Sequence, residues 1–422
     1  MPDSDNPTVV LVFPSGSQFA RSNLRALSRS RMLEAFCTTI AWRGGRRVLG
    51  LVPGGLRELL EARVFDEVED RQLRTFPLRE IVNRIAHRTG LPLLTRHETG
   101  WASSDGVSRA LDASVARLIR RRHLRAAAVY GYDYAAQRSL EAAAEAGMRR
   151  FYELPIGYWR AAQRILGEEG ERNPEWAMTI ESLRDSPEKH ARKDAELRLA
   201  EHVVVPSEFV RDTLAEHPAM TASIDVIPYG APAPRAPAVE PRPRAPRLRL
   251  LYVGHLSQRK GISYLFAAMR RLANVASLTL VGPRIGGDCP ALDGELARHT
   301  WLGAVPHGRV LEIMAEHDLL VFPSLFEGLA QVIPEALAQG LPVIATRNSG
   351  ATAVIDDGED GFIVPIRDPD AIAARVTELA EDRNRLEAMR RAALLKAAER
   401  SWAAREERFI AMMRARLGAA PL

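Results

Sequence analysis

Two glutamates, Glu327 and Glu335, stand eight residues apart in the run DLLVFPSLFEGLAQVIPEALAQGLPVIATRNSG, Asp318 to Gly350. Glu327 falls in a glycine turn, immediately before Gly328. Glu335 follows Pro334 inside an otherwise apolar helical stretch, PEALAQ. A carboxylate in such a stretch is costly to bury unless a donor pairs with it. The hydroxyls of a sugar or a ribose are suitable donors, so the pair implies a site for a nucleotide-linked sugar. The plainer readings are a helix-surface carboxylate for Glu335 and, for Glu327, a turn acid near a helix N-terminus, where acids are common.

Upstream, LYVGHLSQRKGISYLF runs from a strand through a glycine into a short loop with two adjacent cations, Arg259 and Lys260, then Gly261 and a helix. That order suits phosphate, because backbone N–H groups and the positive helix end point at the ligand. The GxxxxGK[ST] spacing of a P-loop is absent. A solvated basic loop is the alternative for the segment taken alone; with the glutamates downstream, phosphate is the better account. A helix expected over Leu329–Gln339 would leave the amides of Leu329, Ala330 and Gln331 available to a diphosphate as well.

Two further sets lie in the N-terminal half. VYGYDYAA puts Tyr132 and Asp133 at a strand end. There a carboxylate facing a cleft acts as acid/base or hydroxyl anchor, or else Asp133 caps the helix expected from Ala135. FYELPIGYWRAAQRILGEE carries Glu153, Tyr158, Trp159 and Arg160 after a strand. Aromatic faces stack on sugar rings and arginine binds anions, which suggests an acceptor surface; aromatic core packing is the alternative. HExxH is absent and His299 and His307 lack partners at ligand spacing, so no metal and no resident cofactor is expected.

These side chains need a frame. Short apolar runs (TVVLVF, FCTTIAW, AAAVYGY, FYELP, HVVVPS, IDVIP) alternate with amphipathic stretches such as Leu111–Arg122 and Ala135–Ala146. Such alternation predicts a parallel sheet covered by helices on both faces. PYGAPAPRAPAVEPRPRAPR, from Pro228, is too proline-rich for helix or central strand and reads as an extended linker. After it the alternation restarts with LRLLYVG and SLTLVG, and continues through Leu319–Pro323, Leu341–Ala345 and Gly361–Pro365. Trp402, Phe409, Ile410, Met413 and Leu417 then recur at helical spacing. The expected plan is an α/β protein of two doubly wound, Rossmann-like domains with a cleft between them. The first spans 1–230, a linker 231–247, the second 248–400, and a closing helix 401–422. Ligands of such sheets bind beyond the carboxyl ends of the strands.

The 422 residues suffice for two or three domains, and 46% hydrophobic with 26% charged residues fits a globular chain. The +5 net charge comes from 58 Lys+Arg against 53 Asp+Glu, a mild excess, and only 6% of residues are aromatic. A nucleic-acid partner is therefore not expected. Phosphate-bearing substrates or anionic lipid head groups suit the balance better. The basic run IRRRHLR, Ile119–Arg125, is either a membrane-surface segment or a solvated basic face. Two distant cysteines, Cys37 and Cys289, and an N-terminus without basic or apolar leader character point to a reducing, cytoplasmic setting, compatible with the inner face of a membrane.

VGHLSQRKG followed by PSLFEGLAQVIPEALAQGLPVIATRNSG, with AVPHGRV and DGEDGFIVP, resembles the donor-binding half of the GT-B glycosyltransferases, specifically glycosyltransferase family 4. The resemblance is specific across 248–365; the N-terminal half is similar only in layout, and the Ser401–Trp402 region resembles the family's last helix, which crosses back to the N-terminal domain. It implies a retaining, metal-independent transfer of sugar from a nucleotide diphosphate sugar to a hydroxyl of a glycan or glycolipid, in bacterial cell-surface polysaccharide or glycolipid synthesis. It further implies that Glu335 binds ribose and that Glu327 lies near the donor sugar's hydroxyls and reaction centre. By the same resemblance Lys260 binds diphosphate, and Gly16 lies against the donor phosphates. Two departures stand out. His255 occupies the place of the family's usual arginine: it is a weaker phosphate partner, a sign that Arg259 has taken the task, or a core or capping residue. Tyr132 and Asp133 stand where a histidine pair is frequent. A nucleotide-sugar epimerase of the same fold and a catalytically degenerate binding scaffold remain alternatives.

Overall fold

The computed structural model describes residues 6–43, 57, 60, 61, 63–236 and 245–419. Strands such as VVLV (β1, Val9–Val12), AVYGY (β4, Ala128–Tyr132), LLVF (β11, Leu319–Phe322) and VIAT (β12, Val343–Thr346) are buried along their whole length. That is what parallel strands covered on both faces require. The described residues form two all-parallel sheets. The first contains β1, β2 (Leu33–Thr38), β3 (Leu73–Thr75), β4, β5 (Arg149–Glu153), β6 (His202–Val205) and β7 (Ser223–Val226), in the order β3-β2-β1-β4-β5-β6-β7. The second contains β8 (Leu248–Val253), β9 (Ala276–Val281), β10 (Thr300–Trp301), β11, β12 and β13 (Gly361–Val364), in the order β10-β9-β8-β11-β12-β13. Both orders reverse direction beside the first strand, so each sheet has a switch-point crevice at its carboxyl edge. The expected α/β plan of two doubly wound sheets is the observed one.

Differences from the expected elements are local. β3 and β10 have three and two residues and sit at sheet edges, too short for an apolar run to reveal them. The helix expected over Leu329–Gln339 is shorter, Val332–Ala338, because the turn after Glu327 continues through Gln331. The Ala338 carbonyl accepts from Arg235 N at 2.7 Å. Residues 237–244 of the linker lie outside the described residues.

The N-terminal and C-terminal sheets are joined by two exchanged pieces. Helix Trp402–Leu417 lies against helix Gln18–Arg29: Phe409, Ile410 and Met413 are buried in the first domain's core, and Arg405 donates to Ser22 and Asn23 at 3.1 and 2.7 Å. In the other direction, the segment after helix Trp159–Arg172 reaches the second domain. Trp176 joins the core around β8 and β11, and Thr179 Oγ1 accepts from Gln258 N at 2.8 Å. Cys37 and Cys289 are free and buried. No helix among the described residues is long and apolar enough to cross a membrane.

Candidate functional site

The loop after β8 and the turn after β11 are folded onto one another. Gly261 adopts φ +69° and comes so close to the Pro323 carbonyl that a Cβ there would lie 2.1 Å from it. This approach carries Arg259 and Lys260 to Glu327. Arg259 donates to Glu327 Oε1 at 2.6 Å and to the Phe326 carbonyl at 2.9 Å; Lys260 pairs with the same Oε1. The Lys260 ammonium also stands 5.0 Å from the centre of the Phe322 ring. Burial pushes the Glu327 carboxyl up, but the charges of Lys260 and Arg259 outweigh it and hold the group below the usual carboxylate range. Glu327 is therefore an ionised carboxylate. Burial, then the nearby Lys260 and Arg259, lower His255, which is neutral at pH 7 and exposed at the same loop. Arg259, together with Lys260 and not His255, is the cation that meets Glu327.

Glu335 projects from the first turn of helix Val332–Ala338 and accepts from or donates to His307 Nε2 across 2.9 Å. His307 opens helix His307–Glu316, 28 positions away, so no local spacing shows this contact. Burial raises the Glu335 carboxyl, and His307 opposes the rise. The amides expected at a helix start are not all available. Ala330 N donates to Ser349 O at 3.1 Å and Glu327 N to Asn348 O at 3.0 Å, and both Leu329 and Ala330 are buried. Gly16 lies in the loop after β1, where its carbonyl accepts from Arg21 Nε at 3.1 Å.

The Glu327–Gly328 turn is also the seam between the domains. Gly157 N donates to Glu327 O at 3.2 Å, and Ser207 Oγ to Gly328 O at 2.6 Å. A Cβ on Gly328 would stand 1.8 Å from the Pro155 carbonyl, so only glycine lets the two loops meet. Of the FYELPIGYWR stretch it is Pro155–Gly157 that reaches the Glu327–Gly328 turn.

The residues expected on the acceptor side are committed elsewhere. Tyr158 OH and Trp159 Nε1 both donate to Asp194 Oδ1 at 2.6 Å, and Arg160 to Asp194 Oδ2 at 3.0 Å. The Trp159 ring stacks on His190 at 4.0 Å. The cluster pins helix Trp159–Arg172 to helix Pro187–Leu199 and, among the described residues, has no bond across the seam. Glu153 is likewise a core group. It is 1% exposed, accepts from Asn23 and Tyr130 at 2.7 and 2.6 Å, and faces Arg405 at 3.9 Å. Tyr132 is buried, its hydroxyl accepting from Asn23 at 2.7 Å.

Asp133 behaves differently. It does not cap the next helix, Gln137–Glu145. That helix's first amides donate instead to Glu196 and Asp112, at 3.0 Å from Ala136 to Glu196 and 2.8 Å from Arg138 to Asp112. Asp133 accepts from Tyr152 OH at 2.8 Å, pairs with Lys193 at 3.8 Å and lines a cavity of about 350 Å³. The same cavity is lined by Ser15, Arg63, Glu80, Arg84 and Pro155, so it opens beside the Glu327–Gly328 seam. Glu80 holds both guanidinium groups, Arg63 and Arg84, at 2.5 Å on one oxygen. Sequence reading missed this set, because Arg63, Glu80 and Asp133 lie in three separate elements with no shared motif. The described residues include one His/Glu/Asp grouping, His97, Glu98 and Asp185. Asp185 is already paired with Lys189 and Lys193 at 2.8 and 3.3 Å, which disfavours a cation there.

Two Rossmann-like sheets facing across a seam, with ionisable groups at the strand ends, define the GT-B fold. Solved structures agree. The chain aligns with sucrose-phosphate synthase (tll1590) from Thermosynechococcus elongatus at TM-score 0.66 and 17% identity, over 98% of this chain and 100% of that one. It aligns with Anabaena Alr3699/HepE in complex with UDP at TM-score 0.63 and 15% identity, over 97% and 100%. Residues 247–382 match the family model described as glycosyl transferases group 1. A glycogen synthase of Mycobacterium tuberculosis is 28% identical over 244 residues, 56% of each chain. A D-inositol 3-phosphate glycosyltransferase of Corynebacterium jeikeium is 28% identical over 251 residues, 53% of this chain and 60% of the relative. The matched stretch thus spans little more than half the length of these relatives.

Proposed function

We propose that the protein transfers a sugar from a nucleoside diphosphate sugar to a hydroxyl acceptor. The observation that carries this reading is the Glu327 carboxylate, buried at the domain seam and held by Arg259 and Lys260. Diphosphate is the ligand whose charge those two cations match. Its arrival draws them from Glu327 and frees the carboxylate for the donor sugar's hydroxyls. Glu335, facing His307, takes the ribose hydroxyls. The bond from the anomeric carbon to the phosphate oxygen breaks as the acceptor oxygen bonds to that carbon on the same face. The acceptor proton passes to the leaving phosphate, and configuration is retained. Arg259 and Lys260 stabilise the charge that develops on the phosphate, so transfer proceeds without a metal. The cavity containing Asp133, Arg63 and Arg84 receives the acceptor, with Asp133 as hydroxyl anchor. This replaces Tyr158, Trp159 and Arg160 in that task. Closure of the seam excludes water from the reacting bond. Assembly of a bacterial cell-surface polysaccharide or glycolipid in the cytoplasm is the setting that fits such a donor and acceptor.

The test is a thermal-shift series with UDP, GDP, ADP, CMP and dTDP sugars, with and without magnesium. UDP-glucose comes first, since HepE structures hold UDP and UDP-glucose. A ligand at a hundredfold excess over Kd adds about 2.7 kcal/mol of stability. One nucleotide class should stabilise the wild type without metal and fail with Glu335→Ala. No shift with any nucleotide sinks the reading. Binding with turnover of the donor sugar's configuration but no transfer would indicate an epimerase, and binding without any turnover a scaffold.

A further inference from the structure

Helix Leu78–Thr89 has two faces with opposite tasks. Its inner face supplies Glu80, Asn83 and Arg84 to the wall of the cavity that holds Asp133. Its outer face carries Leu78, Ile81 and Ile85, which are 66%, 44% and 53% exposed. Their spacing of three and four residues places them in one stripe along the helix. The chain then adds Leu91, Leu93 and Trp101, exposed by 49%, 79% and 44%. Of the eleven large hydrophobic side chains exposed among the described residues, six fall in these 24 positions. Single exposed apolar residues need no explanation, but a contiguous set of this kind marks an interaction surface.

The charges around the set decide what it meets. Arg88 continues the Leu78–Ile81–Ile85 stripe, and Arg96 follows Leu93; both are exposed and neither makes an ion pair with any described residue. Arg79 lies over the Trp101 ring at 4.8 Å and donates to the Trp101 carbonyl at 3.0 Å, so the indole is held at the edge of the patch. No exposed carboxylate interrupts it: Glu80 is buried against Arg63 and Arg84, and Glu98 is largely covered and accepts from Ser186 N at 2.9 Å. Apolar side chains flanked by unpaired arginines, with a tryptophan at the rim, have the composition of a helix lying in the plane of an anionic membrane interface. A second copy of the chain is a poorer match, because a two-fold contact would present the same patch, which has no exposed carboxylate to pair with Arg88 and Arg96 as they lose water. The basic run Ile119–Arg125 lacks the apolar half of this arrangement. Its Ile119 and Leu124 are buried, and Arg120 is paired with Glu145 at 2.7 Å.

We propose that the outer face of helix Leu78–Thr89, continued through Leu93 to Trp101, docks on an anionic phospholipid bilayer. Leu78, Ile81, Ile85 and Leu93 enter the head-group boundary while Arg88 and Arg96 pair with lipid phosphates. Docking does not depend on the transferase reading. Joined to that reading, it sets the Asp133 cavity against the lipid surface, so the acceptor is one carried on a lipid.

The full chain is sedimented with phosphatidylcholine vesicles, with and without phosphatidylglycerol, across a salt series. Variants are Ile85→Glu, Leu93→Glu, the pair Arg88→Glu/Arg96→Glu, and Arg121→Glu/Arg122→Glu as the comparison on the other basic segment. Thermal melts monitor folding and light scattering monitors mass. Binding should require the anionic lipid and weaken with salt. Loss of the two arginines should cut it by roughly thirtyfold, Leu93→Glu by about tenfold, and the Arg121/Arg122 pair should leave it nearly unchanged. Absence of binding to anionic vesicles, or equal binding by folded Leu93→Glu, overturns the proposal. So does a halving of mass in Leu93→Glu with vesicle binding unaltered, which would show a second copy on this face. Nucleotide-sugar binding is measured separately in each variant, so failure at the membrane and failure at the donor site are distinguishable.

Discussion

Lys260 and Glu327 are buried together, and neither is tolerable there alone. Removing one partner of a buried pair leaves an uncompensated charge, which typically costs about 3–5 kcal/mol. Glu327→Ala should therefore lower the thermal midpoint as well as donor binding, whereas Lys260→Met in the Glu327→Leu background should recover most of the stability and none of the binding. Unfolding curves of the three variants check this. Asp360, before β13, gives a different signature. It is 1% exposed, one oxygen accepts from Asp356 N at 3.0 Å, and the other has no hydrogen-bond partner among the described residues. Burial, with the adjacent Asp356 charge, pushes it up from 3.8 to about 6. Between those values the folded chain holds a proton that the unfolded chain has released, so this group's contribution to stability falls as pH rises through that window. Asp360→Asn should raise the melting temperature at pH 8 and lose its advantage towards pH 4, as read by melts at both pH values.

Helix Gln137–Glu145 in the first domain is fixed by acids borrowed from neighbours, whereas helices such as Ser104–Arg120 and Pro187–Leu199 carry their own serine caps. Helix Gln137–Glu145 begins at Ala136, which has no capping side chain. Glu196 accepts from Tyr134 and Ala136 at 2.8 and 3.0 Å, and Asp112 from Arg138 and Ser139 at 2.8 Å each. Asp194 holds the start of helix Trp159–Arg172 in another way, through the side chains of Tyr158, Trp159 and Arg160. Asp194→Ala would strand three donors at once. A loss of about 2–4 kcal/mol is expected, since each donor left without its carboxylate costs about 1–3 kcal/mol and Trp159 and Arg160 regain water. A red-shifted tryptophan emission with intact nucleotide-sugar binding would place this cluster in the scaffold. Unchanged stability with lost transfer would return it to the acceptor site.

Across the whole molecule, a fully buried carboxylate ties the two domains together. Glu169, fully buried in helix Trp159–Arg172, accepts from Gln258 at 2.7 Å, Tyr264 at 2.9 Å and Arg367 at 2.7 Å, all from the second domain. Arg367 adopts φ +63° in making this contact, a conformation a non-glycine residue holds only where its surroundings impose it. Together with Trp176 and Arg405 it makes the closed seam a packed interface as well as a hinge. Glu169→Ala should loosen that seam and enlarge the radius of gyration in solution scattering without donor present, and donor should restore it. An unchanged profile would mean the exchanged helices alone hold the domains together.

The sheets and part of the candidate site are legible in local sequence. Strands such as VVLV and LLVF are apolar throughout because both faces are covered, and Glu327, Gly328 and Lys260–Gly261 were visible because glycine and charge at strand ends are local signals. The remainder rests on contacts between groups far apart in the chain. Asp133 turned out to line a cavity with Arg63 and Glu80, which are 70 and 53 positions away, and Glu335 met His307. Tyr158, Trp159 and Arg160 looked like a sugar platform because aromatic and cationic side chains have the same composition on a binding surface as around a buried aspartate. Their destination was set by the position of Asp194, and the orientation of the Leu78–Ile85 stripe by which face of its helix the Asp133 cavity claimed. Local propensity cannot encode either outcome, since each depends on which distant group is close enough to satisfy a buried charge.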